Sequence, residues 1–139
     1  MTDLDLLLKK LAFIETCLTE LRTLSKPDEL EVNVKERRFV EHTLQLCLQA
    51  VQDVASHIVA DERLGEPSTN QQLFRLLEGA GWIDAKLADS LRAAIGFRNV
   101  LVHGYAAVDL DIVRDVLAHR LSDIVRFVEV VRERLTSDP

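Results

Sequence analysis

Leucine and isoleucine recur at Leu4, Leu7/Leu8, Leu11, Ile14, Leu18 and Leu21. Steps of three and four put these residues on one helix face, so 3–24 is predicted as an amphipathic helix, ended by Ser25-Lys26-Pro27. Asn33 followed by Glu36 resembles a capping box, with asparagine in place of serine or threonine. It opens a long helix predicted over 34–63, with the stripe Val40, Leu44, Cys47, Val51, Val54 and Ile58. Gly65-Glu66-Pro67-Ser68 reads as a loop. Thr69 with Gln72 forms a second capping-box candidate before a short helix through Leu73, Phe74, Leu76 and Leu77, stopped by Gly79 and Gly81. Asp84 is a plausible N-cap for a helix through Leu87, Leu91, Ala94 and Ile95 to about Val102, with Gly104 marking its end. Asp109 or Asp111 caps the last helix, whose stripe is Val113, Leu117, Leu121, Ile124, Val128, Val131 and Leu135.

The result is five helices, four long enough to pack as a bundle, in a single all-α domain spanning 1–139. Composition agrees: only 5 glycines and 3 prolines leave few turns to build, which favours long helices over many short strands. The first and last helices carry nearly heptad-like stripes, and part of that apolar surface suits packing between two chains. No apolar run approaches the ~18 residues of a membrane span. The N-terminal Met1-Thr2-Asp3-Leu4-Asp5 carries acid where a signal peptide carries base, so a cytoplasmic protein is the expectation. Cys17 and Cys47 fall within apolar helical patterns without metal-type spacing and read as buried free thiols. The net charge of −6 argues against a general nucleic-acid binder. It leaves room for a local basic cleft that is small or assembled from more than one chain.

One position breaks the apolar pattern. On a helical wheel with Leu87 at zero, Leu91 lies near about 40°, Ala94 near about −20° and Ile95 near about 80°. Arg98 falls near about 20°, in the middle of the apolar arc. A guanidinium there is costly unless something satisfies it. One reading is a buried ion pair with an acid on a neighbouring helix, for which Glu41, Asp53 and Glu129 are candidates. The other is an anion or phosphate site in a cleft. Asn99 stands four residues before His103 and is within hydrogen-bonding reach of it on a helix. Arg98 and His103 are about 140° apart on a regular helix. They share a site only if the last turn deforms near Gly104 or if a second chain completes it.

Read together, Arg98-Asn99-Val100-Leu101-Val102-His103-Gly104-Tyr105 has the form R-N-x-x-x-H-x-Y. This string resembles the signature of the HEPN superfamily, and its tyrosine is similar to that of the HepT toxin family in particular. Chain length, the long second helix, the proline-containing loop, the short third helix and the Gly79-x-Gly81 break extend the resemblance over nearly the whole chain. The resemblance implies a metal-independent ribonuclease acting on RNA, without a cofactor, built as a homodimer whose two motifs face a shared cleft. It implies Arg98 and His103 as the catalytic pair and Asn99 as support that orients His103 or the phosphate. It further implies a toxin-antitoxin pair of the type VII kind. In such a pair a cognate MntA-type nucleotidyltransferase antitoxin attaches AMP to Tyr105. The chemistry is consistent: RNA brings its own 2′-hydroxyl nucleophile, a histidine can take that proton, and a planar arginine fork matches phosphate oxygens.

No carboxylate-histidine cluster at ligand spacing suggests a metal. His42, His57 and His119, expected to be scattered over different helices, read as structural or surface residues. The basic residues Lys35, Arg37, Arg38, Arg75, Arg92 and Arg114 can line an RNA path only if folding brings them near Arg98. The alternative function is a catalytically silent HEPN helical dimer that serves as the substrate-binding partner of a nucleotidyltransferase. A third reading, a plain helical dimer without a ligand, is disfavoured by Arg98 in the apolar arc.

Overall fold

The computed structural model describes residues 3–103 and 109–137, with the side chains of residues 102 and 103 outside the description. Helix α1 (Leu4–Leu24) starts at Asp3, whose carboxylate accepts from the Leu6 N–H at 3.1 Å. A 3₁₀ turn (Pro27–Glu29) leads to α2 (Val34–Asp61), and then come α3 (Gln72–Gly79) and α4 (Ala85–His103). The predicted last helix is one rod in three parts: α5 (Leu110–Asp115), a π turn (Val116–Arg120) and α6 (Leu121–Thr136). Of the two cap candidates it is Asp109 that serves, accepting from the Asp111 N–H at 2.9 Å.

Four long rods close a ring: α1 packs on α2, α2 on α4, α4 on α6, and α6 back on α1. The short α3 lies against α2 and α4. The ring encloses one core, in which Leu7, Leu11, Ile14, Leu44, Ile58 and Leu91 are buried with Phe74 and Phe127. The two rings meet edge to face, 6.1 Å between centroids at 67°. The α6 stripe is consumed here: Leu121, Ile124, Val128 and Val131 are all buried. Large apolar groups remain exposed on α1 and α2 instead, at Phe13 (44%) and Leu46 (39%). Cys17 and Cys47 are free, buried thiols. Burial pushes Cys17 up to about 11 and Cys47 up to about 12, which keeps both in the unreactive thiol form.

The ends of the helices follow their cap chemistry, with one departure. Asn33 accepts from the Glu36 N–H at 3.2 Å. The reciprocal half of the box is redirected: Glu36, itself buried, accepts from the Lys26 N–H at 2.7 Å and ties the 3₁₀ turn to α2. The Asn33 N–H is taken by the Glu29 carbonyl at 2.9 Å, which leaves Glu36 available for this. Thr69 accepts from the Gln72 N–H at 3.2 Å, as its spacing predicts.

Helices α2 and α3 both end in a Schellman arrangement. After α3, Gly81 takes a φ of 81° while the Trp82 N–H bonds the Leu77 carbonyl at 2.9 Å and the Gly81 N–H bonds the Glu78 carbonyl at 3.0 Å. Arg134 closes this corner, stacking 4.3 Å over the Trp82 ring and donating to the Gly81 carbonyl at 3.1 Å. After α2 the same pair of bonds forms, Leu64 N–H to Val59 and Arg63 N–H to Ala60. Here the left-handed position is held by an arginine, Arg63, at φ 53°.

A non-glycine residue in that region carries roughly 1–2 kcal/mol of steric cost, against about 0.5–1 kcal/mol of entropy that glycine loses on folding. Arg63→Gly is therefore expected to raise the unfolding free energy by about 0.5–1 kcal/mol in urea denaturation. A lowered midpoint would mean that the Arg63 side chain contributes more than its backbone conformation costs.

Candidate functional site

Helix α4 carries the site. The Asp84 carboxylate accepts from the Leu87 N–H at 2.8 Å and fixes its start. Leu87, Ala88, Leu91, Ala94 and Ile95 bury one face. Gly96 admits a close neighbour: a Cβ there would come within 3.0 Å of Gln71 Nε2. That amide donates to the Arg92 carbonyl at 2.9 Å and seats the start of α3 against α4 two residues before Arg98.

Arg98 continues the apolar arc and is half-buried. Among the described residues it has no carboxylate partner, which corrects the expectation of an ion pair with Glu41, Asp53 or Glu129. Its Nη2 donates to Oε1 of Gln49 on α2, and its Nη1 donates to Oδ1 of Asn99 at 3.3 Å. Its Nε is buried without a partner among the described residues. Asp53 acts one step further away: Gln49 Nε2 donates to Asp53 Oδ1 at 2.8 Å, and Lys10 Nζ on α1 lies 3.5 Å from Asp53 Oδ2. The Asp53 charge behind Gln49 is thus balanced by Lys10, while the guanidinium is held by neutral amides. A half-buried cation with spare donors and no carboxylate at contact among the described residues can accept an anion.

Asn99 lies beside Arg98, and its carbonyl oxygen accepts from that arginine; the expected contact of Asn99 with His103 falls on a side chain outside the described residues. Helix α4 keeps its α-helical form through His103, which leaves positions 98 and 103 about 140° apart on the backbone. Of the two sequence-based alternatives, a deformed last turn does not occur within the described helix. The His103 side chain, and Gly104 and Tyr105 altogether, lie outside the described residues. Gln49, Asp53 and Lys10 complete the setting of Arg98; the sequence points only to Asp53 among these, and as a direct partner. The one sequence signal for the link between them is the i,i+4 spacing of Gln49 and Asp53 on the face of α2 next to its apolar stripe.

Other candidates fall away from this cluster. Arg75 pairs with Glu78 and Asp89, Arg92 with Asp89, and Arg114 with Glu31 and Asp111. The Arg114 bond holds the Glu31 carboxyl below its usual value and raises the guanidinium above its own. These arginines read as paired surface charges. His42 and His57 share α2, in contrast to the expected scatter over separate helices; both are exposed, and exposed His119 sits in the π turn. Among the described residues no three His, Cys, Asp or Glu side chains gather as a metal site. No described helix is long and apolar enough to cross a membrane.

Fold and comparison together define an all-helical bundle of the HEPN type, with a half-buried arginine held by amides on its fourth helix. The sequence model of the family "Ribonuclease HepT-like" matches residues 14–131. Over 129 residues the chain is 31% identical to the "mRNA nuclease HepT" of Shewanella oneidensis, covering 92% of this chain and 97% of that protein. It is 27% identical over 118 residues to the "tRNA nuclease HepT" of Aphanizomenon flos-aquae, covering 85% and 80%. It superposes on a tri-AMPylated Shewanella oneidensis HEPN toxin, solved in complex with an MNT antitoxin, with a TM-score of 0.84. That match has 31% identity and covers 95% of this chain and 98% of the toxin. The chain belongs to the ribonuclease HepT-like family.

A guanidinium held only by amides among the described residues contributes little to the fold. Arg98→Met, which fills the same arc without charge, is expected to hold the unfolding free energy within about 1 kcal/mol of the wild type in denaturant titration. A loss of several kcal/mol would identify Arg98 as a structural tie.

Proposed function

We propose that this protein is a metal-independent endoribonuclease toxin that cuts RNA with Arg98 and His103 in a homodimer cleft. It acts in the cytoplasm and is neutralised when an MntA-type nucleotidyltransferase antitoxin transfers AMP to Tyr105. The observation that carries the reading is the state of Arg98: half-buried, oriented by two amides, and without a carboxylate among the described residues. Membership of the HepT-like family and the nuclease names of its relatives support the ribonuclease. The tri-AMPylated toxin in complex with its MNT antitoxin supports the mode of control.

In this reading His103 removes the proton from the ribose 2′-hydroxyl, whose oxygen then attacks the adjacent phosphorus. The P–O5′ bond breaks and the leaving 5′-oxygen takes a proton from solvent, leaving a 2′,3′-cyclic phosphate on one fragment and a 5′-hydroxyl on the other. Arg98 binds the non-bridging oxygens as charge accumulates on them. With RNA supplying the nucleophile, the reaction needs no bound metal.

The separation of positions 98 and 103 around α4 is met by a second protomer, which brings another motif to the cleft. A shallow hollow of about 310 Å³ lined by Lys9, Lys10, Phe13, Leu46, Gln49 and Asp53 offers apolar surface for that contact beside the Arg98 setting. In the control step the Tyr105 oxygen attacks the α-phosphorus of ATP on the antitoxin, and pyrophosphate leaves. An AMP two residues from His103 places bulk and negative charge where RNA phosphate must sit.

Purified protein incubated with total RNA in EDTA is expected to yield fragments ending in 2′,3′-cyclic phosphate. Arg98→Ala and His103→Ala are each expected to lose at least about 100-fold in rate, the scale of a lost acid–base or charge-stabilising group. Treatment with the cognate nucleotidyltransferase and ATP should add one or more AMP units by mass spectrometry and stop cleavage, and Tyr105→Phe should escape both. Intact RNA with folded wild-type protein, at all concentrations, would instead favour the silent dimer.

A further inference from the structure

Arg98 is aimed by an arrangement whose polarity is chemically enforced. The Asp53 carboxylate only accepts hydrogen bonds, so the Gln49 amide must turn its NH₂ group toward it, at 2.8 Å. That orientation leaves the Gln49 carbonyl facing Arg98, whose guanidinium only donates. Lys10 Nζ, 3.5 Å from the other Asp53 oxygen, holds the carboxylate from the far side and offsets its charge. Three helices thus contribute to one directed series, Lys10 on α1, Asp53 and Gln49 on α2, and Arg98 on α4. No alternative amide rotamer satisfies both neighbours.

We infer that Gln49 is a positioning residue for the Arg98 guanidinium, and that it is an amide because a carboxylate in its place would neutralise the cation that RNA phosphate must find. An aspartate or glutamate touching Arg98 would hold it at least as firmly. It would also compete with the substrate for the same donors and lower the field at the phosphate. Gln49 fixes the fork without consuming its charge. The carboxylate that fixes Gln49 is kept one amide away and paired with Lys10. This inference rests on the reading of Arg98 as the phosphate-binding group of a ribonuclease.

The test compares wild type, Arg98→Ala, Gln49→Leu, Gln49→Glu and Asp53→Asn as purified full-length proteins. It measures kcat and KM on a single-stranded RNA oligonucleotide together with the melting temperature. Gln49→Leu is expected to lower kcat about tenfold to a hundredfold through misplacement of the guanidinium, with KM changed less than about threefold and melting nearly unchanged. Gln49→Glu is expected to lose a similar factor in kcat/KM while melting at or above the wild-type temperature. A role in stability alone would make Glu, which keeps an acceptor for Arg98, as active as the wild type. Asp53→Asn removes the carboxylate that orients the amide, permits a flipped Gln49, and is expected to lower kcat by a few fold. It keeps the proposal testable should either Gln49 variant fail to fold.

Arg98→Ala separates the two levels. If it cleaves like the wild type, the reading of Arg98 falls and the inference with it. If it is inactive while folded Gln49→Leu and Asp53→Asn keep wild-type kcat, the ribonuclease reading stands and the positioning role of Gln49 is overturned.

Discussion

Helix α2 has to serve two environments on adjacent faces, and the rest of the molecule is arranged around that requirement. One face supplies the apolar wall against which α1, α3 and α4 pack, with Val40, Leu44, Cys47, Val51, Val54 and Ile58 buried. The neighbouring face carries Gln49 and Asp53, which meet Arg98 and Lys10 from the two flanking helices. A rod of 28 residues packed along its length keeps both faces in fixed register. The apolar contacts set where α4 lies, and that placement brings Arg98 to the amide. Stability and site geometry are therefore coupled through one helix, while the energy comes mainly from the apolar face.

The account of Arg98 turns on what surrounds a cation. Placing a guanidinium in an apolar arc costs solvation, and a carboxylate at contact is the usual remedy. Here no described carboxylate touches it; Asp53 is one amide removed and is itself paired. The arrangement leaves the charge imperfectly satisfied, with a buried Nε that has no partner among the described residues, and in the proposed reading this keeps the cation available to an anion. Local departures from the best fold rule are expected where function is carried. The phosphodiester of RNA fits the proposed occupant because its charge is spread over oxygens that a planar fork can meet. The proposed control by AMP acts on the same electrostatics in reverse, by filling the site with negative charge.

Much of the fold was legible because helix caps and stripes are local. Asn33, Asp84 and Asp109 all accept from a backbone N–H at a helix start, and the Gly81 stop has the bonds its position predicts. Arg63 in a left-handed conformation and the π turn at Val116–Arg120 were not legible, because neither residue type marks the conformation it adopts. The anomaly of Arg98 was visible from the wheel alone, but its partner was not. Side-chain partners across 49 residues of sequence depend on how α2 and α4 pack, and acids were the natural candidates by charge. Glutamine at position 49 reads from sequence as an ordinary polar residue beside a core stripe. Its meaning is set by Asp53 on one side and Arg98 on the other.

The central claim, that Arg98 is held ready for phosphate, is most directly tested by arginine side-chain ¹⁵N NMR, with Arg98→Met assigning the resonance. The titrant is an RNA oligonucleotide carrying 2′-O-methyl groups, which supplies the phosphates but cannot be cleaved. Saturable shifts of the Arg98 guanidinium signals, weakened by added salt, are the predicted result. Saturable binding of the oligonucleotide that leaves those signals unmoved would contradict the account.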